Sequence, residues 1–222
     1  MAGMVPLGDA SRRPRGAAFV TLALIAVNAW AFVLELTRGN AFVYRWAAVP
    51  LRIVHGHHAV TLLTSMFLHA SWMHIIGNMI FLWAFGPAME DVMGRFGYLS
   101  FYLLGGLAAM TAQVLGDPMS RIPALGASGA IAAVMGAFIV TFPRDRIRTL
   151  VFILIFIRIT YIPALFLIGF WFLMQVLDYG TVTEVRTGGV AYLAHIGGFL
   201  FGVVLGRLFV DERRLAFRKL YG

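Results

Sequence analysis

Apolar runs about twenty residues long recur through this chain, separated by short segments that hold most of its charge. A run of that length is what a helix needs to cross the hydrocarbon core of a bilayer. Of the 222 residues, 60% are hydrophobic and 13% are charged, and mean hydropathy is +0.84. A soluble domain of this size has too little interior to hide so much apolar surface, so lipid is the expected solvent. Cysteine is absent, which excludes disulfides, thiolate metal sites and thiol catalysis. The net charge of +8 falls mostly on arginines between the apolar runs. There they read as topology signals facing anionic headgroups, so no nucleic-acid partner is expected.

Six spans are expected, near 17–37, 71–89, 96–116, 125–142, 160–178 and 190–209. The domain they form covers 17–210, between a polar N-terminal tail (1–16) and a charged C-terminal tail (211–222). No cleavage-like site precedes the first run, so it is read as a retained helix. Residues 38–70 are too polar to span simply yet rich in aromatics, and are read as a first loop partly embedded at the interface. Residues 149–178 are apolar apart from Arg158 and Pro163, and are read as a re-entrant or interfacial piece followed by the fifth span. With both termini cytoplasmic, only Arg38, Arg45, Arg52, Arg121 and Arg186 of the 18 Lys and Arg fall outside, as the positive-inside rule requires. The expected class is an all-α membrane protein of six helices.

Polar side chains inside lipid are costly and usually mark a partner or a function. His74 and Asn78 in the second span, Ser128 in the fourth and His195 in the sixth stand out. In this topology all three helices run from outside to inside, and all four residues lie in their first turns. They therefore share one depth below the outer surface. Ser128, Ala132 and Gly136 stack on one helix side, as do His195, Gly198, Gly202 and Gly206. Glycine at every fourth position allows backbone-to-backbone packing, which would bring His195 towards Ser128. An imidazole in reach can take the serine proton and return it to a leaving amine. His74 and Asn78 share a face and, with the Ser128 amide, supply donors for an oxyanion. No acidic residue lies at that depth to orient the histidine. Each feature alone has a structural reading: a serine bonded one turn back, a histidine or asparagine bridging helices, a glycine seam for packing. His55, His57 and His58 are read as a solvated loop rather than a metal site, and Glu90 and Asp91 as charges at a helix end, with Glu90 able to pair with a neighbouring helix. No metal or other cofactor is implied.

Three motifs carry a resemblance. "GASGA" (126–130) is similar to the GxSG serine motif, "HIIGN" (74–78) to HxxxN, and "AHIGGFLFG" (194–202) to AHxxGxxxG. They occur in the order found in the rhomboid intramembrane serine proteases, which the chain resembles over roughly 17–210. The resemblance implies a Ser128 nucleophile, a His195 general base and an oxyanion hole from His74, Asn78 and the Ser128 amide. It implies that His69 lines the cavity, that Glu90 matches an acidic residue near the inner end of the second helix, and that substrates are transmembrane proteins cut in or near segments that unwind. Some relatives place a tyrosine where this chain has Ala132, so another group must hold His195. The first-loop Trp-Arg pair appears only reversed, as Arg45 and Trp46. A wet cavity opening to the outer side is required, and the fifth span, with Pro163, Phe166, Phe170, Trp171 and Phe172, is the candidate gate wall. The expected home is the bacterial cytoplasmic membrane. The competing readings are a catalytically silent member of the same fold that binds transmembrane clients, and a small transporter using His74, Asn78 and His195 as a polar path.

Overall fold

The computed structural model of the chain describes residues 2–11, 16–153, 156–182 and 191–221. Arg12, Arg13, Arg15 and the part of the polar loop that holds Arg186 lie outside the described residues. The chain is mostly helical. Among the described residues, three helices are long and apolar enough to cross a membrane by length and composition: Phe19–Trp46, Trp72–Gly116 and Tyr192–Phe209. Ser128–Thr141 and Ala164–Tyr179 are shorter apolar helices.

Helix α1 (Phe19–Trp46) breaks its helical backbone at Gly39, where φ is +70°. Two short helices, α2 (Pro50–Val54) and α3 (Thr61–Thr64), and a 3-10 turn at Ser65–Phe67 make up the segment expected as a first loop. Paired bonds between Ala48 and Ala124 and a Gly126 N–H donated to the Ser65 carbonyl tie this segment to the chain entering the fourth apolar run. Helix α4 (Trp72–Gly116) is two arms folded about Gly94, whose φ is +72°. The fold-back is visible at Gly86, where an added Cβ would lie 2.7 Å from Tyr98 Oη. Twelve residues of straight helix would separate those positions by about 18 Å.

Helix α5 (Ser128–Thr141) lies at the centre, buried from Gly129 through Phe138. It packs against α4 and against α7 (Tyr192–Leu205). The α5/α7 contact is backbone to backbone. A Cβ on Gly198 would lie 2.1 Å from the Gly129 carbonyl oxygen, and one on Gly202 would lie 2.0 Å from that of Ala133. The seam glycines thus meet the row Gly129, Ala133 and Ala137, one residue on from the expected row of Ser128 and Ala132; Gly136 also joins the contact, against the Phe199 carbonyl. A helix buried on every side is apolar all round, so no polar face marks which of its small residues meet the seam. Helix α6 (Ala164–Val182) packs on α7 and only lightly on α5.

The structure corrects the all-helical expectation. Strands β1 (Ala2–Asp9), β2 (Arg146–Ile153) and β3 (Phe156–Pro163) form an antiparallel sheet in the order β1-β2-β3. Residues 2–9 are therefore an edge strand rather than a free tail, and 149–153 and 156–163 lie in the antiparallel strands of a hairpin rather than in a re-entrant piece. Arg146 and Arg148 are exposed while Ile147 and Thr149 are buried, the period of two that a strand requires. β-Branched residues dominate the hairpin, which favours extended backbone. Pro6 is tolerated because β1 is an edge. The last segment is also docked: α8 (Glu212–Tyr221) buries Leu215 and Arg218. The Arg218 guanidinium bonds Asp9 Oδ2 at 2.8 Å and Asp91 Oδ2 at 3.3 Å, linking β1, α4 and α8. Glu90 is buried for a related reason. Its carboxylate accepts from the N–H groups of Val20 and Thr21 at 2.9 and 2.8 Å and from the Thr21 hydroxyl at 2.8 Å. Those N–H groups have no partner within their own helix, and a carboxylate suits the positive end of its dipole. This polar end of the bundle lies opposite the end where α5 and α7 begin.

Candidate active site

Ser128 is the first residue of α5, so its N–H belongs to the first helical turn, whose donors lack intrahelical acceptors. The chain enters through Gly126, whose φ of +127° suits glycine. A side chain there would also collide with His74: its Cβ would lie 2.8 Å from His74 Nε2. Ser128 Oγ is 2.7 Å from His195 Nε2. His195 is 8% exposed, held between α5 and α6 near the start of α7. Its position follows from the glycine seam, because α7 approaches α5 closely enough for the ring to reach the hydroxyl.

His74 and Asn78 lie one turn apart on the first arm of α4 and face the same cavity, of about 750 Å³, that Ser128, Met135, Trp171 and His195 line. The Ala70 N–H donates to His74 Nδ1 at 3.4 Å. With Nδ1 accepting, the proton of a neutral ring sits on Nε2, the nitrogen beside Gly126. Asn78 Nδ2 is buried with no hydrogen-bond partner among the described residues. Two side-chain donors therefore line the cavity that holds the serine. His69 does not line this cavity as expected. It is 2% exposed and packs edge-on behind His74, with ring centroids 5.1 Å apart. Its backbone N–H donates to both carboxylate oxygens of Glu35, at 3.0 and 3.1 Å. Burial, with His74 alongside, pushes its imidazole down to about 3, so the ring is neutral.

The group that holds His195 was not among the residues singled out from the sequence. Gln175 Oε1, on α6, lies 2.6 Å from His195 Nδ1, and the Trp171 indole packs against the same ring at 5.6 Å between centroids. Gln175 is a lone polar residue in the apolar run "LIGFWFLMQVL", and the cost of a polar group in lipid was the signal available for it. His55, His57 and His58 are exposed, and His55 Nδ1 bonds the Leu51 carbonyl. Arg45 stacks its guanidinium on Trp46, 5.5 Å from the ring centroid, so the reversed pair makes a local cation–π contact.

A family model described as the rhomboid domain matches residues 56–212. Rhomboid protein 1, mitochondrial, of Saccharomyces cerevisiae is 28% identical over 191 residues, covering 83% of this chain and 51% of that protein. RHOMBOID-like protein 12, mitochondrial, of Arabidopsis thaliana is 31% identical over 196 residues, covering 81% of this chain and 55% of that protein. The human presenilin-associated rhomboid-like protein, mitochondrial, is 28% identical over 145 residues, or 64% of this chain and 36% of that protein. The chain thus spans about half the length, or less, of these relatives. Their names are mitochondrial and lend no support to a bacterial cytoplasmic membrane. A domain match over most of the chain, on a membrane protein whose serine and histidine meet at the start of two tightly packed helices, means that this chain belongs to the rhomboid family.

Proposed function

We propose that the chain is an intramembrane serine endopeptidase that cleaves peptide bonds in or near transmembrane segments of membrane proteins. The observation that carries the reading is the 2.7 Å contact between Ser128 Oγ and His195 Nε2 inside a cavity lined by two further donors. Counting the two arms of α4 separately, α1, α4, α5, α6 and α7 supply six spans, with both termini cytoplasmic and the cavity open to the outer side. Helix α5, with 14 residues, is about 21 Å long, short of the roughly 30 Å hydrocarbon core. Its first residue therefore stops below the membrane surface, where a cavity above it supplies the water that hydrolysis consumes.

In the reaction Ser128 Oγ attacks the scissile carbonyl carbon while His195 Nε2 takes its proton. The oxyanion is received by His74 Nε2–H, Asn78 Nδ2 and the Ser128 N–H. His195 then protonates the leaving amine, and an acyl group stays on Ser128. Water, deprotonated by the same imidazole, releases the second product. A helical substrate hides its carbonyls in its own hydrogen bonds, so the bound segment must unwind at the cut. Access lies along α6. Phe166 and Phe170 on this helix are 69% and 51% exposed and face outward, whereas Trp171 and Phe172 pack inward.

A fluorophosphonate probe of active serines tests the reading. Wild type is expected to be labelled and Ser128→Ala not. Equal labelling of both removes the nucleophile. Absence of labelling in wild type, with retained binding of transmembrane clients, favours the silent binding protein; flux through liposomes that survives Ser128→Ala favours the transporter.

A further inference from the structure

We propose that Gln175 is a positioning residue for His195, fixing both the ring and the tautomer that the serine needs; this rests on the serine-protease reading above. The geometry determines which way the amide points. Gln175 Nε2 donates to the Trp171 carbonyl, one turn back on α6, at 3.2 Å. With the NH₂ group committed there, Oε1 is the atom left facing His195 Nδ1, at 2.6 Å. A flipped amide would set two oxygens against each other at Trp171. An amide oxygen only accepts, so Nδ1 must carry the hydrogen. The lone pair of a neutral ring then sits on Nε2, 2.7 Å from the serine hydroxyl, in the tautomer that can take its proton.

The same contact explains how the dyad does without two things missing from the sequence: an acidic third member and a tyrosine at position 132. A carboxylate beside His195 would put an ion into a site where burial of charge is expensive. The carboxamide orients the ring without a charge. Trp171, on the preceding turn of the same helix, closes one face of the imidazole. Gln175 is 9% exposed, so its amide is not simply a solvated surface group.

The test uses the full chain in liposomes with two variants: Gln175→Leu, which keeps the bulk and removes the acceptor, and Ser128→Ala. Fluorophosphonate labelling rate, kcat and KM on a transmembrane substrate, and thermal unfolding are measured together. Gln175→Leu is expected to lower the labelling rate and kcat tenfold or more, short of the ~10²–10⁴-fold that loss of a general base costs. KM stays within twofold and the protein stays folded. A Gln175→Leu rate within twofold of wild type overturns the proposal, as does a change confined to KM. ¹⁵N-histidine NMR reads the tautomer independently of activity. Nδ1–H at His195 in wild type, lost or mixed in Gln175→Leu, supports the proposal even if wild type is not labelled and the protease reading fails. The same tautomer in both proteins overturns it.

Discussion

Two of the helices packed on α7, α5 and α6, hold it in different ways. Against α5 the contact is backbone on backbone, with no room for a methyl group at Gly198 or Gly202. Against α6 it is side chain on side chain: Phe172 stacked on Phe199 at 4.2 Å, Trp171 beside His195, and the Gln175 amide on the imidazole. In lipid, where apolar burial drives little association, close packing is what holds helices together. The α5/α7 seam is thus the part that cannot move without unfolding the site. The α6/α7 contact rests on a few groups that can part and re-form. On the proposed reading, one face of α7 fixes the dyad in space, and the other leaves a wall for a substrate helix to displace.

The comparison breaks most sharply at the seam. Gly202→Val forces a branched side chain into the Ala133 carbonyl, and overpacking of this kind costs about 1–3 kcal/mol or more. The expected outcome is a large fall in thermal stability in detergent together with loss of activity; an unchanged melting profile contradicts the seam. Next in size is Asn78→Ala, where loss of one oxyanion donor should cost about 3–4 kcal/mol in the chemical step. Turnover falls by more than a hundredfold while melting is unchanged, because the Asn78 Nδ2 group has no protein partner among the described residues to lose. A smaller effect is expected on the α6 side. Phe172→Ala removes a stacked pair worth about 0.5–1.5 kcal/mol, so stability drops modestly and the protein stays folded. Smallest of all is Phe166→Ala on the outward face of α6, which should raise cleavage of a transmembrane substrate severalfold without changing unfolding. No change or a fall would count against α6 as the entry wall.

How much of this was legible beforehand depended on the kind of signal each residue carries. Ser128, His195, His74 and Asn78 were singled out because each is a polar group in an apolar run, and the common depth of three helices placed them together. Gln175 carries the same signal: late in a helix that runs the other way, it falls at the same depth as the other four. The glycine seam was legible on α7, where Gly198 and Gly202 mark one face. On α5 the row was displaced by one residue, since a wholly buried helix has no polar side to orient it. The sheet was the largest omission. The stretch from 149 to 163 is apolar enough, apart from Arg158, to pass for membrane, and the partner of β2, β1, begins more than 140 residues earlier, beyond the reach of any local pattern. The docking of α8 likewise depends on Arg218 finding Asp9 and Asp91, which only the folded chain brings together.

The central claim is that the hydroxyl at 128 and the imidazole at 195 together hydrolyse peptide bonds within a membrane. The most direct measurement is cleavage of a tagged single-span protein by the purified full chain in liposomes, with fragments read by mass spectrometry. One discrete cut in or beside the span is expected with wild type, and none with Ser128→Ala or His195→Ala. Fragments formed equally by wild type and Ser128→Ala would contradict it.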